Sequence, residues 1–490
     1  MSSVKTYCQF RLIAISFLFF AAIHLCSFGQ SSNTSSPYSR YGVGDIAGKG
    51  FAQGFAFGGT HIALQNDSTQ LFFINNGNPS SYSNLKLTTV DLGLNYSLVK
   101  MENTTAKNIA HNAGLGYVAL GFPIKKWWGS SIGLVPFSSV GYAISSYSEL
   151  ASAGEVEYRY EGAGGINQAY FGNAIKPLYG VPGAFLKSKR YERLKQEGKK
   201  TQINNILKRK RRAQGLSLGM NVSYLFGNME NSKRSIFESS VTSLLNTRSV
   251  SSTRISDVFL DYGMQYAFTI DSLRGRDLKD NVKIMMGATF SAQTDVNAKI
   301  DTLTYSYYYG SQGEEVLKDT IHLSMDSKGK ITFPLSFGFG IGFRKGDKWL
   351  AVADYAIQNW SSYRTFNQSQ NLKNSMRISA GVQFTPNAKY ISIKGPLDGY
   401  YKRIQYRLGG RYAKTALELK NTQLNEYAIT IGVGLPAARD FRFQNFSMVN
   451  IGLEFGQRGT VSNGLIRENF MKICLGFTIN DRWFVKPKID

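Results

Sequence analysis

Residues 333–344 read Phe333-Pro334-Leu335-Ser336-Phe337-Gly338-Phe339-Gly340-Ile341-Gly342-Phe343-Arg344. One parity holds Phe333, Leu335, Phe337, Phe339, Ile341 and Phe343; the other holds Ser336, three glycines and Arg344. Side chains of an extended chain point alternately to opposite faces. This segment therefore has one wholly apolar face and one built of glycine and small polar groups. A strand of a soluble sandwich also alternates, but its outer face carries abundant charge. An apolar face opposed by glycine suits a barrel with lipid outside and a polar or filled lumen.

The same pattern recurs along the chain. Tyr427, Ile429, Ile431, Val433 and Leu435 oppose Ala428, Thr430, Gly432 and Gly434; Val449, Ile451, Leu453 and Phe455 oppose Asn450, Gly452, Glu454 and Gly456. Met376, Ile378, Ala380, Val382 and Phe384 oppose Arg377, Ser379, Gly381 and Gln383. The composition agrees. Of 490 residues 49 are glycine, 13% are aromatic and only 18% are charged, against about 25% charged in an ordinary soluble protein. Aromatic richness excludes a disordered chain, and three cysteines exclude a disulfide scaffold.

Segments of this kind fall near 88–98, 113–123, 130–147, 155–175, 215–226, 256–269, 282–295, 330–344, 348–360, 374–385, 403–414, 425–436, 446–457 and 469–480. They predict an all-β fold, a fourteen-stranded antiparallel transmembrane barrel over 88–480. The even number matches single-chain bacterial barrels. Short basic turns at Lys125–Lys126 and Lys345–Lys348 sort to the periplasmic side, and long polar loops at 227–255 and 296–329 sort to the outside. The exception is 176–214, long yet on the periplasmic side. Within this register an arginine at Ile431 meets lipid and is costly, whereas a serine at Gly432 is tolerated.

The first 29 residues read as a secretory signal peptide. Lys5 and Arg11 precede an apolar run from Leu12 to Leu25, and Ser27 and Gly29 supply the small residues before cleavage. Such a leader exports the chain, which is then secreted, periplasmic or an outer-membrane barrel, and the strand periodicity selects the outer membrane of a Gram-negative envelope. Residues 30–87 lack alternation and are too few for a stable domain alone, so a hatch packed in the lumen is expected. Residues 481–490 form a periplasmic tail.

The hatch segment carries Gly58-Gly59-Thr60-His61-Ile62-Ala63-Leu64, then Phe73-Ile74-Asn75, then Asn78-Pro79-Ser80. This order resembles the FadL-type family of outer-membrane barrels for long-chain fatty acids and other hydrophobic compounds. That family has an N-terminal hatch closed by an Asn-Pro-Ala element, and fourteen strands. Ser80 stands in place of the alanine, and extra residues precede Asn78. The opening Ser36-Pro37-Tyr38-Ser39-Arg40-Tyr41-Gly42 and the closing Asn480-Asp481-Arg482-Trp483-Phe484 are similar to members from Bacteroidota. The resemblance implies passive uptake of a hydrophobic or amphipathic small molecule through the hatch and a lateral gap. Relatives of this architecture also serve as subunits of secretion and barrel-assembly machines, so an accessory role beside an envelope protein partner stays open.

Three sets of residues are candidates beyond the hatch. Pro136, with Gly133 and Ser138 beside it, interrupts the third strand. Proline lacks the ladder donor and marks bulges and edges, and the resemblance implies a side door there. A door leaves backbone around 133–139 without ladder bonds; an ordinary bulge does not. Lumen parity places Arg377, Arg407, Arg411, Lys472 and Lys283 inside together with Glu454, Asp261 and Asp354; the excess of bases suits a carboxylate head group, or the charges form a network that fills the barrel. Third, 187–212 holds twelve basic residues against Glu192 and Glu197, among them Lys199, Lys200, Lys208, Arg209, Lys210, Arg211 and Arg212. Ile203, Ile206 and Leu207 have helical spacing. Such a periplasmic patch suits anionic lipid headgroups, cell-wall carboxylates or an acidic protein, and nucleic acid is not expected in that compartment.

No catalytic, cofactor or metal site is expected. Gly129-Ser130-Ser131-Ile132-Gly133 enters a strand rather than a strand-to-helix turn. His61, His111 and His322 lack metal-ligand spacing.

Overall fold

The computed structural model describes residues 34–66, 73–150, 154–237, 244–270, 282–387, 399–440, 445–481 and 483. The proposed signal peptide lies outside the described residues, as does the tail beyond Asp481 apart from Trp483. Fourteen antiparallel strands close into a barrel. They are β1 Thr88–Glu102, β2 Lys107–Lys125, β3 Trp128–Leu150, β4 Gly154–Ile175, β5 Leu216–Phe237, β6 Asn246–Ile270 and β7 Val282–Ser291 continued by Thr294–Tyr309. There follow β8 Glu315–Phe333 continued by Ser336–Lys345, β9 Trp349–Gln358, β10 Ser375–Phe384, β11 Gln405–Leu419, β12 Thr422–Asp440, β13 Asn445–Gly459 and β14 Arg467–Asp481. Closure is direct, with β14 pairing β1 from Arg467↔Glu102 to Asp481↔Thr88.

The alternation is realised as an apolar belt. Phe337, Phe339, Ile341 and Phe343 on β8 are exposed, as are Ile378 and Val382 on β10, Ile429 and Ile431 on β12, and Phe477 and Ile479 on β14. Opposite parity is buried, including Thr430, Glu454 and Ser379. No helix among the described residues is long and apolar enough to cross a membrane; the strands make the crossing. Ile431 is 50% exposed in this belt. Ile431→Arg should cost about 2–4 kcal/mol near the bilayer midplane and lower the heat-modifiable, folded fraction in isolated membranes. An unchanged fraction would take Ile431 off the lipid face.

The long outer loops expected at 227–255 and 296–329 are corrected by the structure. Both are largely strand. β5 and β6 pair from Leu216↔Tyr266 out to Ser235↔Thr247, and β7 and β8 pair out to Tyr309↔Glu315. The sequence alternation fades there because neither face meets lipid, while the ladder continues. The result is a sheet of β3–β8 that outruns the belt at the loop end. At the other end the 176–214 insertion folds as three helices, introduced below.

Candidate functional site

The lumen is occupied by residues 34–66 and 73–87, and the wall is cut to fit them. A Cβ on Gly129 would lie 2.1 Å from the Tyr82 carbonyl oxygen, and one on Gly219 2.5 Å from the Pro79 carbonyl carbon. Going round the barrel, the same holds for Gly263 against Asn78, Gly287 against Ile62, Gly381 against Phe57, Gly409 against Gly58, Gly432 against Ala56 and Gly476 against Ala52. The glycines of the lumen face thus let hatch backbone approach strand backbone. This overturns the expected tolerance of serine at Gly432, where a Cβ would sit 2.4 Å from that of Ala56.

Side chains then fix the hatch. Asn78 caps the 3-10 turn Pro79–Asn84; its Oδ1 accepts from the Ser80 amide and its Nδ2 donates to the Ile62 carbonyl at 2.7 Å. Asn75 Nδ2 donates to the carbonyls of His61 and Leu64. Gly58, at φ +75°, donates its amide to Thr430 Oγ1, and a Cβ there would strike the Gly410 backbone at 2.6 Å. Gly59 follows at φ +81°, with Arg377 nearby. Asp354 on β9, which lumen parity places inside, accepts from the amides of His61 and Ile62 at 2.6 and 2.9 Å. Sequence reasoning missed Lys49 of the hatch, which pairs with the lumen-facing Asp261 of β6 at 2.8 Å. Ion pairs of this kind leave no sequence signal beyond lumen parity.

The candidate lumen bases lie in two kinds of surroundings. Arg411 donates to Glu426 at 2.7 Å and to Glu454 at 2.9 Å, and Lys472 stands 3.8 Å from Glu454. Arg407 donates to Gln383 and Asn450. Arg377 lies 3.3 Å from His61 Nδ1, which also faces the Gly59 carbonyl at 3.0 Å. Only one of those contacts is a hydrogen bond in either tautomer. Burial, reinforced by the Arg377 charge, pushes His61 down to about 3, so the ring is neutral. Nearer the loop end Arg458 holds Asp45 at 2.8 Å and Glu468 at 2.7 Å, and donates to Ser36. Above the hatch, Trp360, Tyr363 and Leu372 from the β9–β10 connection join Phe259, Ile331 and Phe333 in one apolar cluster.

Around Pro136 the wall divides. β2 and β3 pair from Lys125↔Trp128 only as far as Val118↔Leu134. Beyond that point β2 continues on β1, and β3 on β4. The hatch strand Asp45–Ile46 takes the vacated side of β3, pairing with Ser139 and Ser138, and the Ala47 amide donates to the Phe137 carbonyl. The β3–β4 ladder runs through Pro136, with a bulge between Pro136 and Ser138. The bulge breaks the strand's alternation: Ile132 and Leu134 face out, while Ser138, Val140 and Tyr142, of the same sequence parity, are buried. Gly133 sits below the split, where a Cβ would meet the Tyr170 ring at 2.7 Å. Higher up, a cavity of about 520 Å³ lies between the parted strands, lined by Met101, Glu102, Lys107, Tyr142 and Ile144 with Ser35 of the hatch.

A family model named BamG matches residues 10–181 and 210–490. The chain belongs to the BamG family. The stretch left out, 182–209, is most of the helical insertion. No curated protein matches. Among solved structures the chain is similar to the CymD monoaromatic hydrocarbon channel, at 12% identity and TM-score 0.47, covering 89% of this chain and 98% of that one. A Pseudomonas aeruginosa FadL homologue is similar at 9% identity and TM-score 0.48, covering 90% and 99%. The Pseudomonas putida toluene transporter TodX is similar at 14% identity and TM-score 0.47, covering 90% and 100%.

Proposed function

We propose that this BamG-family barrel is a structural subunit of a multiprotein outer-membrane machine of the barrel-assembly kind, docking a protein partner at its loop end. The observation that carries this reading is an apolar strand edge beyond the reach of lipid. Leu317, Ile321, Leu323 and Met325 of β8 are each more than half exposed. Met325 precedes the first belt residue Leu335 by ten positions. At about 3.3 Å per residue and a tilt near 40°, that is about 25 Å above the belt. Among the described residues Glu315–Gly329 is laddered only to β7, so its other edge offers N–H and C=O groups to a further strand. Exposed apolar side chains on an open edge favour strand addition by a partner. The hatch and the Trp360–Leu372 cap, which fill the lumen, fit a barrel used as a scaffold.

One observation favours a second reading, passive uptake of a hydrophobic compound with lateral release: the split between β2 and β3 and its cavity. The two readings part in one experiment. Cells carrying Ile321→Asp with Leu323→Asp should keep this barrel heat-modifiable yet accumulate other outer-membrane barrels in unfolded form. Normal assembly of the other barrels, with impaired uptake of a hydrophobic probe in cells depleted of this chain, would overturn the subunit reading and support transport.

A further inference from the structure

The insertion between β4 and β5 consists of α1 Val181–Leu186, α2 Lys189–Gln196 and α3 Lys200–Ala213. Phe185, Leu194 and Ile203, one from each helix, form its buried centre, with Tyr191, Ile206 and Leu207 packed around it. Ser188 caps α2 by accepting from the Tyr191 amide. This small core consumes the apolar residues at helical spacing and turns the charges outward. Lys187, Lys189, Arg190, Lys195, Lys199, Lys200 and Arg209 are all exposed. Of the two acids, Glu197 is already paired with Arg193 and Lys199 at 2.8 and 2.7 Å. The backbone of α3 also carries Lys208, Lys210, Arg211 and Arg212. The surface is thus strongly and one-sidedly positive.

Its position identifies the negative partner. The Lys176 amide donates to the Trp127 carbonyl at 2.8 Å, so the insertion starts against the β2–β3 turn. Ile124, Trp127 and Ile175 there are exposed and end the apolar belt. Trp127 carries Lys125 over its ring at 5.4 Å. Tryptophan and lysine at such a level mark the headgroup zone. Tyr179 and Leu186 of the insertion are exposed too, 37% and 43%, and neither joins the helical core. Exposed apolar residues beside a basic surface, on an insertion that starts where the belt ends, match a membrane face carrying negative charge.

We propose that this helical insertion binds the anionic phospholipid headgroups of the leaflet that adjoins it, with Tyr179 and Leu186 dipping into the interface. Each Lys or Arg near such a surface contributes about 1 kcal/mol, and the attraction fades within a Debye length of about 8 Å at physiological salt. The inference does not rest on the subunit reading above.

The full chain in detergent micelles, titrated with phosphatidylglycerol or phosphatidylcholine and followed by native mass spectrometry, tests it. The wild type should hold phosphatidylglycerol at least tenfold more tightly, with the preference shrinking as salt rises. A variant with Lys187, Lys189, Arg190, Lys195, Lys199 and Lys200 changed to Gln should lose the preference while keeping heat-modifiable mobility. The same positions changed to Arg, with Arg190 retained, should keep it. Equal binding of the two lipids by the wild type, or full preference in the Gln variant, would overturn the proposal. Tight binding of polyglutamate without any lipid preference would overturn it in favour of an acidic protein.

Discussion

Leucine at Gly219 or at Gly409 should leave the barrel largely unassembled. At Gly219 even a Cβ would lie 2.5 Å from both the Pro79 carbonyl carbon and the Ser80 amide nitrogen. At Gly409 it would lie 2.4 Å from the Gly58 nitrogen and the Phe57 carbonyl carbon. These are backbone atoms inside a closed ring, so neither side can yield by a rotamer change. Overpacking a core costs roughly 1–3 kcal/mol, occasionally more, and a leucine driven into backbone belongs at or beyond the top of that range. The readout is the heat-modifiable fraction in outer membranes. A paired variant locates the cause: removing residues 31–80 takes away the obstacle, so Gly219→Leu should then assemble no worse than the hatchless parent. Gly180→Ala, in open space, should behave as wild type. Normal assembly of both leucine variants would mean that the hatch does not sit against these strands.

That ring also shows where sequence stops being readable. Parity placed each glycine on the lumen face, because the outward neighbours Ile431, Phe339 and Val382 are apolar and the period of a strand is two. Parity says nothing about what stands across the lumen. A glycine facing water and a glycine facing the Phe57 backbone look alike in sequence, so serine at Gly432 was expected to be harmless. The same blindness applies to β5–β8 above the belt: strands wet on both faces lose the pattern that reveals them, and the ladder from Gly227 to Phe237 read as loop. At Pro136 the proline announced an irregularity, but a bulge shifts every later side chain to the other face. Only the partners of Ser138 and Ser139, one of them Ile46 from the hatch, show that the wall opens toward β2.

Removing Arg411 should be among the most damaging single changes in the lumen that involve no steric clash. Its guanidinium meets Glu426 and Glu454, and the Glu454 side chain has no solvent exposure. Arg411→Met would keep much of the volume and withdraw the charge, leaving Glu454 with Lys472 at 3.8 Å as its remaining ion partner among the described residues. Breaking a buried pair from one side costs about 3–5 kcal/mol, because an uncompensated charge remains, whereas replacing the whole group by neutral residues is often close to neutral. The denaturation midpoint of the purified barrel in micelles should therefore fall sharply for Arg411→Met. It should recover most of that loss when Glu426→Gln and Glu454→Gln are added, since the stranded charges are then gone. Arg411→Lys should fall between, keeping the charge but losing the planar fork that reaches two carboxylates at once. A midpoint unchanged in Arg411→Met would show that water or a mobile cation already screens these acids, and would reopen Arg411 as a free anchor for a carboxylate ligand.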